Sequence, residues 1–180
     1  MITSVDLKFP RPVEGDCAPY FFNYINKVGN GDIVGILIDQ KISFGKFIES
    51  LTPEQLHYRY APGKWSMAEM IGHILDSERV FAYRMMCISR GEQKSLPSFE
   101  QDDYVAGSIS DDLNGNELAE EWEAIRSSSI LLCLHMSSAM AAKEGIANNI
   151  RTKAYAYPYM LAGHLMHHLE IAKERYLQPA

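Results

Sequence analysis

The sequence predicts an all-α protein, a four-helix bundle with a long crossover connection and a short N-terminal helix. Four long stretches repeat apolar residues at intervals of three and four. Strand-like alternation with tight turns is scarce, and the stretch between the second and third helices is long enough to cross the bundle. For 180 residues we expect one bundle domain, residues 19–180, preceded by an irregular leader over residues 1–18.

The N-terminal part is predicted to hold a short helix and then the first long helix. Residues 20–28 form a short helical patch, which a Gly-Asn-Gly segment ends. Asp32 opens the first long helix, whose apolar residues recur as far as Leu51. Thr52 and Pro53 then supply a cap and a first-turn proline, so a further short turn begins there.

The second long helix has the clearest predicted boundaries. Ser66 and Glu69 have the spacing of a capping box, in which each side chain accepts a hydrogen bond from the other residue's backbone. The helix is expected to run from Met67 to Arg90, where Gly91 closes it.

Two further long helices complete the predicted bundle. Residues 95–110 are expected to form a long polar loop with one short turn at residues 100–105, after which a third helix begins near Asn116. Residues 145–156 are predicted to be another connection. The last helix begins around Pro158, where the missing N–H does no harm, and runs to about Leu177.

Composition excludes several classes of partner. The net charge of −6 argues against nucleic acid, because binding phosphates needs a basic surface. No apolar run approaches the roughly 20 residues of a membrane span, and no signal peptide is visible, so no membrane partner is expected. The three cysteines are widely spaced, without a CxxC pair, which indicates isolated thiols in a reducing compartment, the cytoplasm.

Three histidines are the strongest candidates for a functional site. His164 and His168 are four residues apart on the predicted last helix, so their imidazoles share one face. Helices present two nitrogens to one metal ion with this spacing. A third imidazole, from His73 on the second long helix, would leave coordination positions open, as in catalytic metal sites. The alternative is that each is a buried or half-exposed polar residue without a metal.

Two neighbouring residues leave the site's composition open. His167 is three residues after His164 and could replace His168, although we expect it nearer the rim. Asp76, one turn after His73, is the candidate catalytic residue, able to orient the imidazole, assist a proton transfer or bind metal itself. Its alternative is a solvated position with local ion pairs.

Three segments together resemble the DinB-like (DinB/YfiT) superfamily of metal-dependent enzymes. Residues 64–79 are similar to its second-helix signature, residues 96–105 to the loop that follows, and residues 162–177 to its closing helix. The resemblance covers roughly residues 20–178. It implies a four-helix bundle in which a divalent metal is held by three histidines, at the motif positions of His73, His164 and His168.

The resemblance also implies a chemistry. Relatives include S-transferases and isomerases that depend on low-molecular-weight thiols such as bacillithiol or mycothiol. The leading hypothesis is therefore a bacillithiol-type S-transferase, whose partners are a small thiol and an electrophilic small molecule. A metal-binding stress or sensing protein without turnover, and a metal-dependent hydrolase, are the alternatives. The metal stays open among zinc, nickel and iron, because imidazole suits them all.

A homodimer is the expected assembly. The leader and the aromatic segment Tyr20-Phe21-Phe22 offer apolar surface that a bundle alone need not cover. Two-fold pairing is also the commonest assembly of soluble homo-oligomers. The alternative is that this segment folds back onto its own bundle.

Overall fold

The structure, a computed structural model that describes residues 8–177, is built almost entirely from helices. Residues 1–7 of the predicted leader and residues 178–180 of the predicted domain lie outside this range. The helices are α1 (Phe22–Ile25), α2 (Ile33–Glu49), α3 (Pro53–His57), α4 (Met67–Arg90), α5 (Gln101–Gly107), α6 (Gly115–Leu134), α7 (Ser138–Ala141) and α8 (Ala156–Ile171). Strands β1 (Glu144–Ala147) and β2 (Ile150–Lys153) form an antiparallel hairpin.

The predicted all-α four-helix bundle is confirmed, and its corners are α2, α4, α6 and α8. Both α2 and α4 pack against α6 and α8. Therefore α2 and α4 lie at diagonally opposite corners of the bundle, and so do α6 and α8. One end of the core combines the C-terminal half of α2 with the N-terminal halves of α4 and α6. The other end combines the opposite halves of these helices with the start of α8. Therefore α4 and α6 run in the same direction, and residues 91–114 form the predicted crossover.

The boundaries of α4 follow from its local sequence as predicted. The Ser66 hydroxyl accepts a hydrogen bond from the Glu69 N–H, and the Glu69 carboxylate accepts one from the Ser66 N–H. Gly91 ends the helix with φ of 101°, in the left-handed region that glycine adopts without a steric penalty. The third long helix begins at Gly115, next to the expected Asn116.

The predicted connection over residues 145–156 contains most of the β1–β2 hairpin. Asn148 and Asn149 make its tight turn with φ values of 51° and 60°. Asparagine tolerates this left-handed conformation better than most residues, so the pair takes the place that glycine usually has in such turns. Strands of only four residues show too little alternation to be recognised in the sequence.

The described part of the leader packs on the bundle. Residues 8–18 contain no regular helix or strand. Phe9 is buried, and its carbonyl accepts a hydrogen bond from the Tyr159 hydroxyl at 3.1 Å. Arg11 donates to the carbonyls of Ile25 and Val28 at the end of α1. No helix within residues 8–177 is both long enough and apolar enough to cross a membrane.

A buried ion pair joins α4 to α6. Arg126 is 0% exposed, and its Nη2 donates to Oε2 of Glu78 at 2.9 Å. Its Nε lies 2.9 Å from Oε1 of the same carboxylate, at an angle that does not form a hydrogen bond. Arg126 Nη1 donates to Gln40 on α2, and the guanidinium lies 4.4 Å from the ring centroid of Trp122.

We expect Arg126→Met to lower the free energy of unfolding by about 3–5 kcal/mol, because it leaves the Glu78 carboxylate buried without a cation. The matched control is Arg79→Met, which removes the half-exposed pairs with Asp76 and Glu121 and should cost about 1 kcal/mol or less. Urea unfolding monitored by circular dichroism measures both. Adding Glu78→Gln to Arg126→Met should recover part of the loss, and equal losses in the two single variants would contradict this account.

Candidate metal centre

Three imidazoles meet inside the bundle with their Nε2 atoms facing one another. His164 Nε2 lies 3.2 Å from His73 Nε2 and 3.1 Å from His168 Nε2. All three candidate ligand atoms lie within 4.8 Å of one another. The histidines are 3%, 6% and 8% exposed in chain order, so the cluster is buried. We refer to these residues as the histidine cluster.

Helix geometry brings the cluster together. His73 lies in the second turn of α4, while His164 and His168 lie on successive turns of α8. The residue before His164 is Gly163, where an added Cβ would lie only 2.2 Å from the Tyr24 carbonyl oxygen. Glycine therefore allows the backbone of α1 to approach α8, and the Tyr24 ring packs edge-on against His164 at 5.4 Å.

Aromatic rings shield the cluster from water. Trp65, in the loop before α4, lies 4.9 Å from the His73 ring, and Phe81 on α4 lies 5.8 Å from the His164 ring. Burial lowers the pKa of His73 to about 4, although the Asp102 carboxylate acts in the opposite direction. Burial, with the neighbouring histidines, lowers the pKa of His168 to about 3 and that of His164 well below its ordinary value. All three imidazoles are therefore neutral at pH 7, the form that binds metal ions.

The spacing of the three nitrogens fits a shared cation better than a hydrogen-bond network. A neutral imidazole has one N–H donor and one acceptor nitrogen, so His164 Nε2 cannot form two good hydrogen bonds to two other Nε2 atoms. Two nitrogens that each lie about 2.0–2.1 Å from a tetrahedral metal are about 3.3 Å apart. The observed separations of 3.1 and 3.2 Å are close to this value. The residues present therefore fit a divalent metal.

His168 carries a further buried polar atom. Its Nδ1 is shielded from solvent and has no hydrogen-bond partner within residues 8–177. In metal-ligating histidines the second ring nitrogen usually donates to a carboxylate, a carbonyl or water. A water molecule or a ligand atom bound beside this nitrogen would therefore be stabilised by a hydrogen bond to it.

The structure does not bring Asp76 into the histidine cluster. Its carboxylate pairs with Arg79 at 3.2 Å and lines a separate groove that also includes Glu121. Burial raises the pKa of Asp76, while Arg79 acts in the opposite direction. His167 also lies outside the cluster, half-buried, with its ring 5.2 Å from that of Tyr24.

Two cavities are lined by different members of the histidine cluster. The first, of about 260 Å³, reaches His73 and His164, and we call it the Arg84 cavity after the arginine in its wall. The second, of about 460 Å³, reaches His168, and we call it the Trp65 cavity. Asp102 on α5 lines the Trp65 cavity. The cluster therefore stands in a wall that two different molecules can approach.

Sequence reasoning did not single out Asp102 or Arg84 as site residues. Both are polar residues, but neither forms a spacing typical of metal ligands with its immediate neighbours in the sequence. The one available signal was that the loop containing Asp102 belongs to a segment, residues 96–105, with a family resemblance. Arg84 follows His73 by eleven positions, which is close to three helical turns and places both on one face of α4.

Comparison with known proteins identifies the family. The family model described as the DinB superfamily matches residues 43–172, nearly three-quarters of the chain. The chain belongs to the DinB superfamily. No curated protein matches the chain in sequence.

Two solved structures share its fold. YfiT from Bacillus subtilis, described as a probable metal-dependent hydrolase with an unusual four-helix bundle topology, is 13% identical with a TM-score of 0.66; the alignment covers 94% of this chain and 97% of that one. The mycothiol-dependent maleylpyruvate isomerase is 11% identical with a TM-score of 0.66, and 87% of this chain aligns with 64% of the isomerase. At these identities the likeness establishes the fold alone.

We expect the metal-free protein to lose stability as the pH falls below 7. An unfolded histidine binds a proton near pH 6.5, whereas folded His73 and His168 do so only near 4 and 3. Between these values the unfolded chain holds more protons, so acid favours unfolding, by up to about 2 kcal/mol per histidine between pH 7 and 5.

Urea unfolding at pH 7 and pH 5 after chelation measures this dependence. His168→Gln should remove part of it, because glutamine does not titrate. The control His57→Gln makes the same substitution at an exposed histidine outside the cluster and should retain the contribution of the cluster. If the wild type and His168→Gln depend on pH equally, the histidine is not held neutral by burial.

Proposed function

We propose that this protein is a metal-dependent S-transferase that joins a low-molecular-weight thiol of the bacillithiol type to an electrophilic small molecule. His73, His164 and His168 would hold the divalent metal, which is zinc, nickel or iron. The observation that carries the proposal is the convergence of three buried imidazoles, which line two cavities. A bound divalent metal supplies Lewis acidity, which favours the thiolate form of a thiol at neutral pH.

The chain's own residues have three tasks in this proposal. The histidines bind without first releasing protons, because their burial already keeps them neutral. Trp65, Tyr24 and Phe81 exclude water, which strengthens electrostatic interactions at the centre. Asp76 is not part of the proposal, because its carboxylate pairs with Arg79 in a separate groove.

The two cavities favour a reaction of two substrates. The Arg84 cavity reaches two histidines of the cluster and the Trp65 cavity reaches the third. A thiol and an electrophile can thus enter from different sides and meet at one centre, where holding both in place removes much of the entropic barrier. Among the proteins of the same fold, the isomerase is described as mycothiol-dependent.

A metal-dependent hydrolase is the second candidate. It is favoured by Asp102, an exposed carboxylate that lines the same cavity as His168. A carboxylate so placed can accept a proton from water. The protein of the same fold from Bacillus subtilis is described as a probable hydrolase. A stress or sensing protein that binds metal without turnover is the remaining outcome of the tests below.

We expect His73→Ala, His164→Ala and His168→Ala each to weaken metal binding by more than 100-fold. This exceeds the roughly 10- to 100-fold loss typical of residues that only support a ligand. His167→Ala is the matched control on the same helix and should bind metal as the wild type does, since His167 lies outside the cluster. Competition with a chromophoric chelator measures the affinities. If His167→Ala loses metal binding while His168→Ala retains it, the third ligand is His167 and not His168.

A turnover assay separates the three functions. We expect the metal-loaded protein to consume bacillithiol in the presence of an electrophile, and His73→Ala to consume none. The assay follows free thiol, with glutathione and cysteine as comparison thiols. Turnover of ester or amide substrates without added thiol would establish the hydrolase instead. Tight metal binding without turnover in any of these mixtures would favour the non-catalytic alternative.

We also propose that the protein is a cytoplasmic homodimer. Within the described residues Phe21 is buried on its own bundle, but Tyr20 is half-exposed beside it. Light scattering at micromolar concentration should give twice the monomer mass of 20.4 kDa, and Tyr20→Ser should weaken the dimer because it removes exposed aromatic surface. A monomer mass would refute the dimer.

A further inference from the structure

The Arg84 cavity contains a charged group that the proposed metal chemistry does not use. Ser77, Phe81 and Arg84 follow His73 along one face of α4, and all four residues line the cavity. Side chains on a helix lean towards its N-terminus, so Arg84 leans back along the cavity towards the histidines. Two histidines of the cluster and a guanidinium therefore line one cavity, with Arg84 eleven residues after His73 on the same face of α4.

Arg84 is buried without a counter-ion. It is 6% exposed, and its Nη2 donates to the Pro97 carbonyl at 2.6 Å. No carboxylate within residues 8–177 forms an ion pair with it, and that hydrogen bond is the one it makes within this range. A guanidinium has five N–H donors, and buried charges are normally paired. Arg126, by contrast, is 0% exposed and is paired with Glu78.

The rest of the cavity wall suits a small anion. Tyr20, Ser98, Gln101 and Asn148 add hydroxyl and amide groups. Burial raises the pKa of Tyr20 while Arg84 opposes the rise, so the phenol lies within the electrostatic reach of the guanidinium. Glu100 also lines the cavity and, like Ser98, Gln101 and Asn148, it is exposed, whereas Arg84 is buried. Arg84 is the single cationic side chain in the wall, which matches a monoanionic carboxylate better than a phosphate dianion.

We propose that Arg84 forms a carboxylate-binding subsite, and that one substrate carries a carboxylate at the opposite end from the group that reacts at the histidines. The carboxylate belongs either to the thiol or to the electrophile. The link to the reaction rests on the proposed function, but the binding of a carboxylate at Arg84 does not.

The subsite is tested first in metal-free protein, with butyrate as the probe and butyramide as its neutral analogue. NMR titration should show butyrate binding at millimolar concentration, with shifts at Arg84 and Ser98, and butyramide binding at least about tenfold more weakly. Arg84→Gln should bind butyrate at least tenfold more weakly than the wild type. Arg90→Gln, which changes an exposed arginine of the same helix, should bind it normally.

Two outcomes would overturn the subsite: equal binding of butyrate and butyramide by the wild type, or unchanged butyrate binding in Arg84→Gln. The first comparison needs no variant, so it decides even if Arg84→Gln does not fold. Arg84→Lys, which keeps the charge but not the planar fork, should bind butyrate with intermediate affinity. Metal affinity should be unchanged in Arg84→Gln. A failure of the proposed metal site can therefore be distinguished from a failure of the carboxylate subsite.

Turnover by the metal-loaded protein then separates the two sources of the carboxylate. If the thiol carries it, mercaptopropionate should have a lower KM than mercaptoethanol, and Arg84→Gln should abolish this difference. If the electrophile carries it, the same pattern should appear for maleamate, which has one carboxylate, against maleamide, which has none. If Arg84→Gln changes neither comparison, the subsite does not serve the reaction and the proposal is wrong.

Discussion

The buried pair of Glu78 and Arg126 is the interaction on which the geometry of this bundle depends. It joins α4 to α6, and Gln40 on α2 accepts a hydrogen bond from Arg126 while donating one to the Ala162 carbonyl on α8. One network therefore touches all four long helices, close to His73 on α4 and to His164 on α8. Because an unpaired charge in a dry core costs several kcal/mol, sliding any helix is strongly disfavoured. The distances among the three histidines are therefore held fixed by the same packing.

The same dry interior gives the histidines their chemistry. Imidazoles at a protein surface are partly protonated near neutral pH, whereas burial keeps His73 and His168 neutral far below it. The close packing that excludes water depends on glycine at position 163, since a side chain there would collide with α1. The packing that removes water thus stabilises the fold, and it also leaves the nitrogen lone pairs unprotonated and able to bind a metal.

The parallel course of α4 and α6 explains why the centre has two approaches. The chain must return along the bundle between these helices, and residues 91–114 make that return. This crossover supplies Ser98 and Gln101 to the wall of the Arg84 cavity and Asp102 to the Trp65 cavity. Together with Tyr24 on α1 and Trp65 in the loop before α4, the crossover therefore encloses the histidines and forms part of the wall of each cavity.

The sequence by itself determined the features that depend on near neighbours in the chain. Ser66, Glu69 and Gly91 bounded α4 through local hydrogen bonds and backbone conformation, and the spacing of four placed His164 and His168 on one face. Only the tertiary structure decided which distant groups meet. It paired Glu78 with Arg126, left Arg84 without a counter-ion and turned Asp76 towards Arg79. Helix packing sets these contacts, and it depends on residues too far apart in the chain for periodicity to relate them.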